Sequence, residues 1–128
     1  MTVLVAEDEL LVARMLDKYL RAAELQVTLV LTGVEAWGVL SSELPPLVAV
    51  MDWSIPGISG LELCRKTRAR QDAPFTYLIL LTGRSREVDR AAAIEAGADQ
   101  FITKPFNVQH VVAQVQHGIL VASERRSR

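Results

Sequence analysis

The chain has a single cysteine, Cys64. No internal disulfide can form, which excludes the disulfide-stapled secreted scaffolds and fits a reducing compartment. Charge of one sign is also missing, with 14 basic residues against 15 acidic ones and a formal net charge of −1. A basic excess that would make nucleic acid the default partner is therefore absent. No apolar run approaches the ~20 residues that span a bilayer. The start, Met1-Thr2-Val3-Leu4-Val5-Ala6-Glu7-Asp8-Glu9, has no basic segment before its apolar stretch and turns acidic at once, unlike a signal peptide. Neither a Walker A loop nor a dinucleotide-binding glycine motif occurs. Internal repeats, low-complexity segments and a helix-turn-helix are missing as well. A small cytoplasmic globular domain is what these absences leave.

The 128 residues are 50% hydrophobic and 23% charged, ordinary usage for one folded domain. Short apolar runs occur at 3–6, 27–31, 47–51, 77–81 and 101–103. They are rich in Val, Ile and Leu and mostly lack polar alternation, as in strands buried on both faces. Between them lie patterns of period 3.6. The first places Leu11, Val12, Met15, Leu16, Tyr19 and Leu20 on one side and Arg14, Asp17, Lys18 and Arg21 on the other. The second and third open with Thr32-Gly33-Val34-Glu35 and Ser59-Gly60-Leu61-Glu62, both capping boxes. The fourth covers 86–96 and stops at Gly97. The fifth starts from Asn107 and stripes Val108, Val111, Val112, Val115, Ile119 and Ala122. Strand and helix thus alternate five times, which predicts an α/β fold with a parallel sheet covered on both faces. The domain is expected over 1–122, with 123–128 a charged tail, either a frayed helix end or a linker stub.

In such sheets, sites lie beyond the carboxyl ends of the strands. The residues there are Glu7-Asp8-Glu9, Asp52-Trp53-Ser54, Thr82-Gly83-Arg84 and Lys104-Pro105. Clustered carboxylates repel unless a cation joins them. Oxygen ligands with room for water and phosphate favour Mg²⁺, with Mn²⁺ as a substitute. Lys104 suits a phosphoryl oxygen, Thr82 can donate a hydrogen bond, and Gly83 leaves its backbone open to close approach. A phosphoryl-transfer site with a carboxylate nucleophile follows.

Each residue also has a plainer reading. Asp8 can cap a helix while Glu7 and Glu9 favour its positive end. Asp52 can be a turn former, and Lys104 a solvated charge. Cys64 reads as packing on the third helix. His110 and His117 share a helix face, spaced too widely for one metal. Trp37 reads as core and Trp53 as the site's rim. Arg65, Lys66, Arg68 and Arg70 read as a solvated face.

Taken in order, these pieces resemble the receiver domain of two-component response regulators, in the manner of the chemotaxis regulator. The pieces are Glu7-Asp8, then Asp52-Trp53-Ser54-Ile55-Pro56-Gly57-Ile58-Ser59-Gly60, Thr82-Gly83, Ala96-Gly97-Ala98-Asp99 and Lys104-Pro105-Phe106. The resemblance covers essentially the whole chain. It implies a flavodoxin-like (βα)5 sheet in the order 2-1-3-4-5. It implies that Asp52 accepts a phosphoryl group from a phosphohistidine on a sensor histidine kinase or phosphotransfer protein. Glu7, Asp8, Asp52 and the backbone carbonyl of Ser54 are implied metal ligands, and Lys104 and Thr82 implied phosphoryl ligands. The Lys104–Pro105 bond is implied to be cis. Thr82 and Phe101 are the implied switch, although Phe101 lacks the hydroxyl that many members have. The responding surface is the fourth helix, fifth strand and fifth helix, which is also a possible homodimer face.

Arg84 and Ser54 are expected to gate water at the phosphoryl group, Arg84 by shielding or pairing with it, and both point to slow self-dephosphorylation. The stretch 75–82 and Gly118-Ile119-Leu120 look like receivers fused to diguanylate cyclases or phosphatases. Two enzyme-like or carrier alternatives fit less well. A haloacid-dehalogenase-type phosphatase needs a second aspartate where Ser54 stands. A flavodoxin-like FMN carrier needs a hydroxyl- and glycine-rich loop where Glu7-Asp8-Glu9 stands. A receiver-like docking module that is not phosphorylated is the remaining alternative.

Overall fold

The computed structural model describes residues 2–128. Five strands, β1 (Thr2–Ala6), β2 (Gln26–Val30), β3 (Val48–Asp52), β4 (Tyr77–Thr82) and β5 (Gln100–Thr103), alternate with five helices. The helices are α1 (Leu10–Ala22), α2 (Gly33–Leu40), α3 (Gly60–Ala69), α4 (Glu87–Glu95) and α5 (Val108–Arg126). The strands form one all-parallel sheet in the order β2-β1-β3-β4-β5. This is the expected fold class and order.

Successive side chains of a strand point to opposite faces, and both faces are covered here. Val3, Val5, Val48, Val50, Ile79 and Leu81 pack with Leu16 and Leu20 of α1 and with Val111, Val115 and Ile119 of α5. The intervening Leu4, Ala6, Ala49, Met51, Leu78 and Leu80 pack with Leu40 of α2, Leu63 and Cys64 of α3, and Ala93 of α4. Both sets must therefore be apolar, which is why the strands read as unbroken hydrophobic runs. Each fully buried leucine or valine contributes about 1.5–3 kcal/mol of transfer free energy.

The N-caps follow the sequence, although at α3 the Glu62 carboxylate pairs with Arg65 and does not close a capping box. Thr32 Oγ1 accepts from Glu35 N–H at 3.1 Å, and Glu35 Oε1 accepts from Leu31 N–H at 3.3 Å. Ser59 Oγ accepts from Glu62 N–H at 3.2 Å, and Asn107 Oδ1 from Gln109 N–H at 2.8 Å. Gly97 ends α4 with φ +98°, the left-handed conformation of a C′ glycine.

Three expectations are corrected. Leu11 is 84% exposed, and α1 buries Ala13, Leu16 and Leu20 instead. Leu10 and Leu11 of the first turn face solvent, while Val12 and Ala13 of the same turn face the core. Arg68 and Arg70 are not a solvated face. Arg68 donates to Gly97 O, Thr76 O and Asp99, and Arg70 to Leu40 O and Ser42 O. Trp37 is half-buried rather than core, with Lys66 Nζ 4.7 Å from its ring centroid. Past residue 122, α5 continues to Arg126, which donates to Phe75 O, Pro45 O and Pro46 O. Those three carbonyls lie on loops that only the folded chain brings to the helix end.

Candidate functional site

Because the strands are parallel, their carboxyl ends share one edge. The chain leaves β1 toward β2 and returns on its other side as β3, so a crevice opens between β1 and β3 at that edge. Glu7 follows β1, and its N–H donates to Val30 O at 3.1 Å, which fixes it at the mouth of the crevice. Its side chain has no solvent exposure. Asp8 beside it is exposed. Asp52 is the last residue of β3 and is 6% exposed.

The turn after Asp52 is set by backbone packing. Trp53 N–H donates to Leu81 O at 2.8 Å, and Trp53 O accepts from Gly60 N–H at 2.9 Å. A Cβ at Gly60 would stand 2.5 Å from Asp52 O and 2.9 Å from Leu80 Cδ2. Only glycine allows α3 to start so close beneath Asp52. Gly57 completes the loop at φ +87°.

From the other side, Lys104 follows β5, and its N–H donates to Thr82 O at 2.7 Å. The Lys104–Pro105 peptide is cis, as the resemblance implied. The ammonium reaches back across the sheet edge. Its Nζ lies 2.8 Å from Glu7 Oε1, 3.3 Å from Asp52 Oδ1 and 3.3 Å from Glu9 Oε1. Glu9 N–H donates to Glu7 Oε2 at 3.1 Å. Glu7, Asp8 and Asp52 each offer a carboxylate oxygen, and these oxygens lie within 4.8 Å of one another.

Burial raises the Glu7 carboxyl above its ordinary value, a shift to which the Asp52 charge adds and which the bonds from Lys104 and Glu9 N–H only partly offset. Burial alone would lower the Lys104 ammonium. The hydrogen bond and charge of Glu7, with the charge of Asp52, outweigh it and hold the ammonium above its ordinary value. Three converging carboxylates and Glu9 against one cation leave the crevice electron-rich. The donors are all hard oxygens, so the cluster fits a hard divalent cation of the Mg²⁺ class.

Thr82 is buried at the end of β4, and its Oγ1 accepts from Arg84 N–H at 2.9 Å. As an acceptor there, the hydroxyl keeps its proton for a second partner. Phe101 is half-buried on β5 and meets Trp53 edge-on, with centroids 6.3 Å apart and planes at 86°. Trp53, expected at the rim, is only 8% exposed and belongs to the core beneath α3 and α4. Arg84 lies 4.9 Å from the Trp53 ring centroid and 3.8 Å from Asp89 Oδ1. Gly83 and Ser54 are exposed at the mouth.

Two residues at this edge carry contacts that sequence reading did not give them. Glu9 is a third partner of Lys104, and Asp89 is a buried acid in the first turn of α4. An acid in a helix's first turn is an ordinary charge preference, so Asp89 had no further signal in sequence.

Residues 3–116 match the family model described as the response regulator receiver domain. The phosphate regulon transcriptional regulatory protein PhoB of Rhizobium meliloti is 38% identical over 112 residues, covering 88% of this chain and 49% of that protein. The receiver domain of DrrB, a Thermotoga maritima protein, solved in a BeF₃-activated form, is 31% identical with a TM-score of 0.80, covering 93% and 97% of the two chains. The receiver domain of a sensor histidine kinase from Pseudomonas aeruginosa, solved with magnesium in its active-site cleft, is 25% identical with a TM-score of 0.79, covering 92% and 96%. The chain spans about half the length of the curated relatives it matches.

Proposed function

The chain belongs to the response regulator receiver domain family, and from that premise we propose that Asp52 is the phosphoacceptor of a two-component signalling pathway. The observation that carries this reading is the convergence of Asp52, Glu7 and Asp8 with Lys104 at the sheet edge. An Asp52 carboxylate oxygen attacks the phosphorus of a phosphohistidine on a sensor histidine kinase or phosphotransfer protein. The phosphorus–nitrogen bond breaks, and its electron pair returns to the imidazole. Lys104 and Thr82 then bind phosphoryl oxygens by charge and hydrogen bond.

Glu7, Asp8, Asp52 and the carbonyl of Ser54 would hold Mg²⁺, or Mn²⁺ in its place, which when bound neutralises charge between carboxylate and phosphoryl oxygens. The chain's own contribution is to hold Lys104 charged and aimed at that position. A phosphoryl group competes with Glu7 and Glu9 for the ammonium, so phosphorylation rearranges the pairs around it.

Thr82 turning toward the phosphoryl group and Phe101 repacking beside Trp53 transmit the change to α4, β5 and α5. That face then controls an effector and is a candidate homodimer surface. The relatives PhoB and BaeR are named as transcriptional regulators. A DNA-binding effector is thus one option for this receiver, beside a cyclase or phosphatase. The receiver's own residues are read as making no direct nucleic-acid contact. Among the described residues no helix is long and apolar enough to cross a membrane, and a cytoplasmic site of action is part of the proposal. Ser54 is too small to hold a water for attack on the phosphoryl group, which favours slow self-dephosphorylation.

Phosphotransfer is the test. A histidine kinase bearing labelled phosphate should pass label to the parent chain and not to Asp52→Asn. Equal labelling of both would assign the phosphate elsewhere, and labelling of neither would favour a docking module.

A further inference from the structure

Asp89 is a buried carboxylate that the phosphoryl site does not use. It stands in the first turn of α4 at 7% exposure. A buried charge is costly unless paired, and Asp89 has two cationic partners. Arg86 Nε donates to Oδ2 at 3.2 Å, and Arg84 Nη1 lies 3.8 Å from Oδ1. Arg86 is the neighbouring N-cap residue of the same helix and would satisfy Asp89 alone. Arg84 comes from outside the helix, two residues after Thr82. Its N–H donates to Thr82 Oγ1, and its guanidinium stands over the ring of Trp53, the residue after Asp52. Trp53 in turn meets Phe101 edge-on. One side chain thus touches the start of α4 and the flank of the phosphoacceptor, and its backbone holds the switch hydroxyl.

We propose that Asp89 is a latch, which holds Arg84 on Trp53 in the unphosphorylated protein and yields it to a phosphoryl group on Asp52. This rests on reading Asp52 as the phosphoacceptor. The exchange is a competition of two anions for one cation. At 3.8 Å the Asp89–Arg84 contact is an ion pair without a hydrogen bond. A phosphoryl group carries more charge and more acceptor oxygens, in a geometry that a guanidinium fork matches. The loose contact suits a switch, since a tight one would keep Arg84 in place in both states. Arg86 remains on Asp89 after Arg84 leaves, so the buried carboxylate is not stranded. Departure of the guanidinium uncovers the Trp53 ring and moves the Thr82–Arg84 turn, which ties arrival of phosphate to the β4–α4 connection. A contact present in one state only biases the equilibrium by its own free energy.

The test compares Asp89→Asn, Arg84→Gln and the double variant, all with Trp37→Phe so that emission reports Trp53 alone. Without phosphate, Asp89→Asn should shift Trp53 emission in the direction that beryllofluoride shifts the parent. With phosphate preloaded, Asp89→Asn should lose it more slowly by about threefold or more, the size of coupling between contacting side chains. Arg84→Gln should lose it faster than the parent, and the double variant should behave as Arg84→Gln. Unchanged Trp53 emission in Asp89→Asn overturns the latch, and this arm needs no phosphorylation, so it stands apart from any failure of Asp52 to accept phosphate. An Asp89 effect of equal size with and without Arg84 also overturns it, because a role confined to starting α4 would act in both backgrounds. If Asp89→Asn does not fold, Arg84→Gln alone decides: shifted emission with faster loss supports the latch, and no change in either overturns it.

Discussion

Glu7 carries a charge that its surroundings resist. Its carboxyl is fully buried and raised above the unfolded value of 4.5 by burial, then by Asp52, against the partial relief of Lys104 and Glu9 N–H. As pH rises, the unfolded chain releases this proton first. Glu7 therefore favours folding at low pH, and that contribution is lost as pH rises through its raised value. Glu7→Gln removes the buried charge while Asp52 and Glu9 still pair Lys104. The metal-free variant should be as stable as the parent or up to about 2 kcal/mol more stable at neutral pH. Thermal melts should show the gap closing on acidification, and Mg²⁺ titrated against Trp53 emission should bind more weakly. A Glu7→Gln protein that melts well below the parent at neutral pH would contradict this account. Ser54 gives a second prediction at this scale. Ser54→Asn places a side chain able to position water near the phosphoryl group, so preloaded phosphate should be lost faster, by about threefold or more, since orienting the attacking water lowers the barrier. Loss at the parent rate or slower would remove Ser54 from the gating role. The types and chain positions of Glu7, Asp8, Asp52, Thr82 and Lys104 were legible in sequence because each stands at or just past the carboxyl end of a strand. The partner of each was not. Lys104 meets Glu7 and Glu9 across 97 and 95 residues, and the choice of Arg84 between Asp52 and Asp89 depends on how the β4–α4 turn is placed.

Helix starts that are written locally were legible to the residue. Thr32, Ser59 and Asn107 each cap within three residues of their own position. Where burial depends on what lies opposite, periodicity misled: Leu11 continues the apolar stripe of α1 but faces solvent, and Ala13 is buried in the same turn. The anchoring of the end of α5 was not legible, for a similar reason. Ser123-Glu124-Arg125-Arg126 reads as solvated, yet Arg126 is anchored to Phe75 O, Pro45 O and Pro46 O. Ending the chain after residue 122 should remove these bonds and destabilise the fold by about 1–3 kcal/mol, the usual cost of bonds to charged donors. Chemical denaturation of the truncated and parent chains measures it, and identical midpoints would show the anchor to be inert. Gly60 links the start of α3 to the site. A methyl there meets Asp52 O at 2.5 Å, so Gly60→Ala should cost about 1–3 kcal/mol as an overpacked position does. It should also slow phosphorylation by shifting Asp52. A variant that matches the parent in both melt and phosphorylation rate would show that the turn adapts.

At the scale of the whole molecule, alternation of apolar runs and helical patterns was enough for a parallel α/β sheet. The strand order was not contained in composition or spacing and came only from the family resemblance. Parallel pairing of β1 with both β2 and β3 opens the crevice, and that single topological fact gathers residues from four strand ends. Beryllofluoride with Mg²⁺ should change hydrogen exchange most in α4, β5 and α5, the elements nearest Thr82, Arg84 and Phe101. Changes confined to α2 would refute that direction of signalling. The central claim is that this edge makes Asp52 a phosphoacceptor. Intact mass spectrometry of the parent and of Asp52→Asn, each incubated with Mg²⁺ and a small acyl phosphate, tests it most directly. The parent should gain the mass of one phosphoryl group and Asp52→Asn none; a parent that stays unmodified, or an Asp52→Asn protein that gains the same mass, would contradict it.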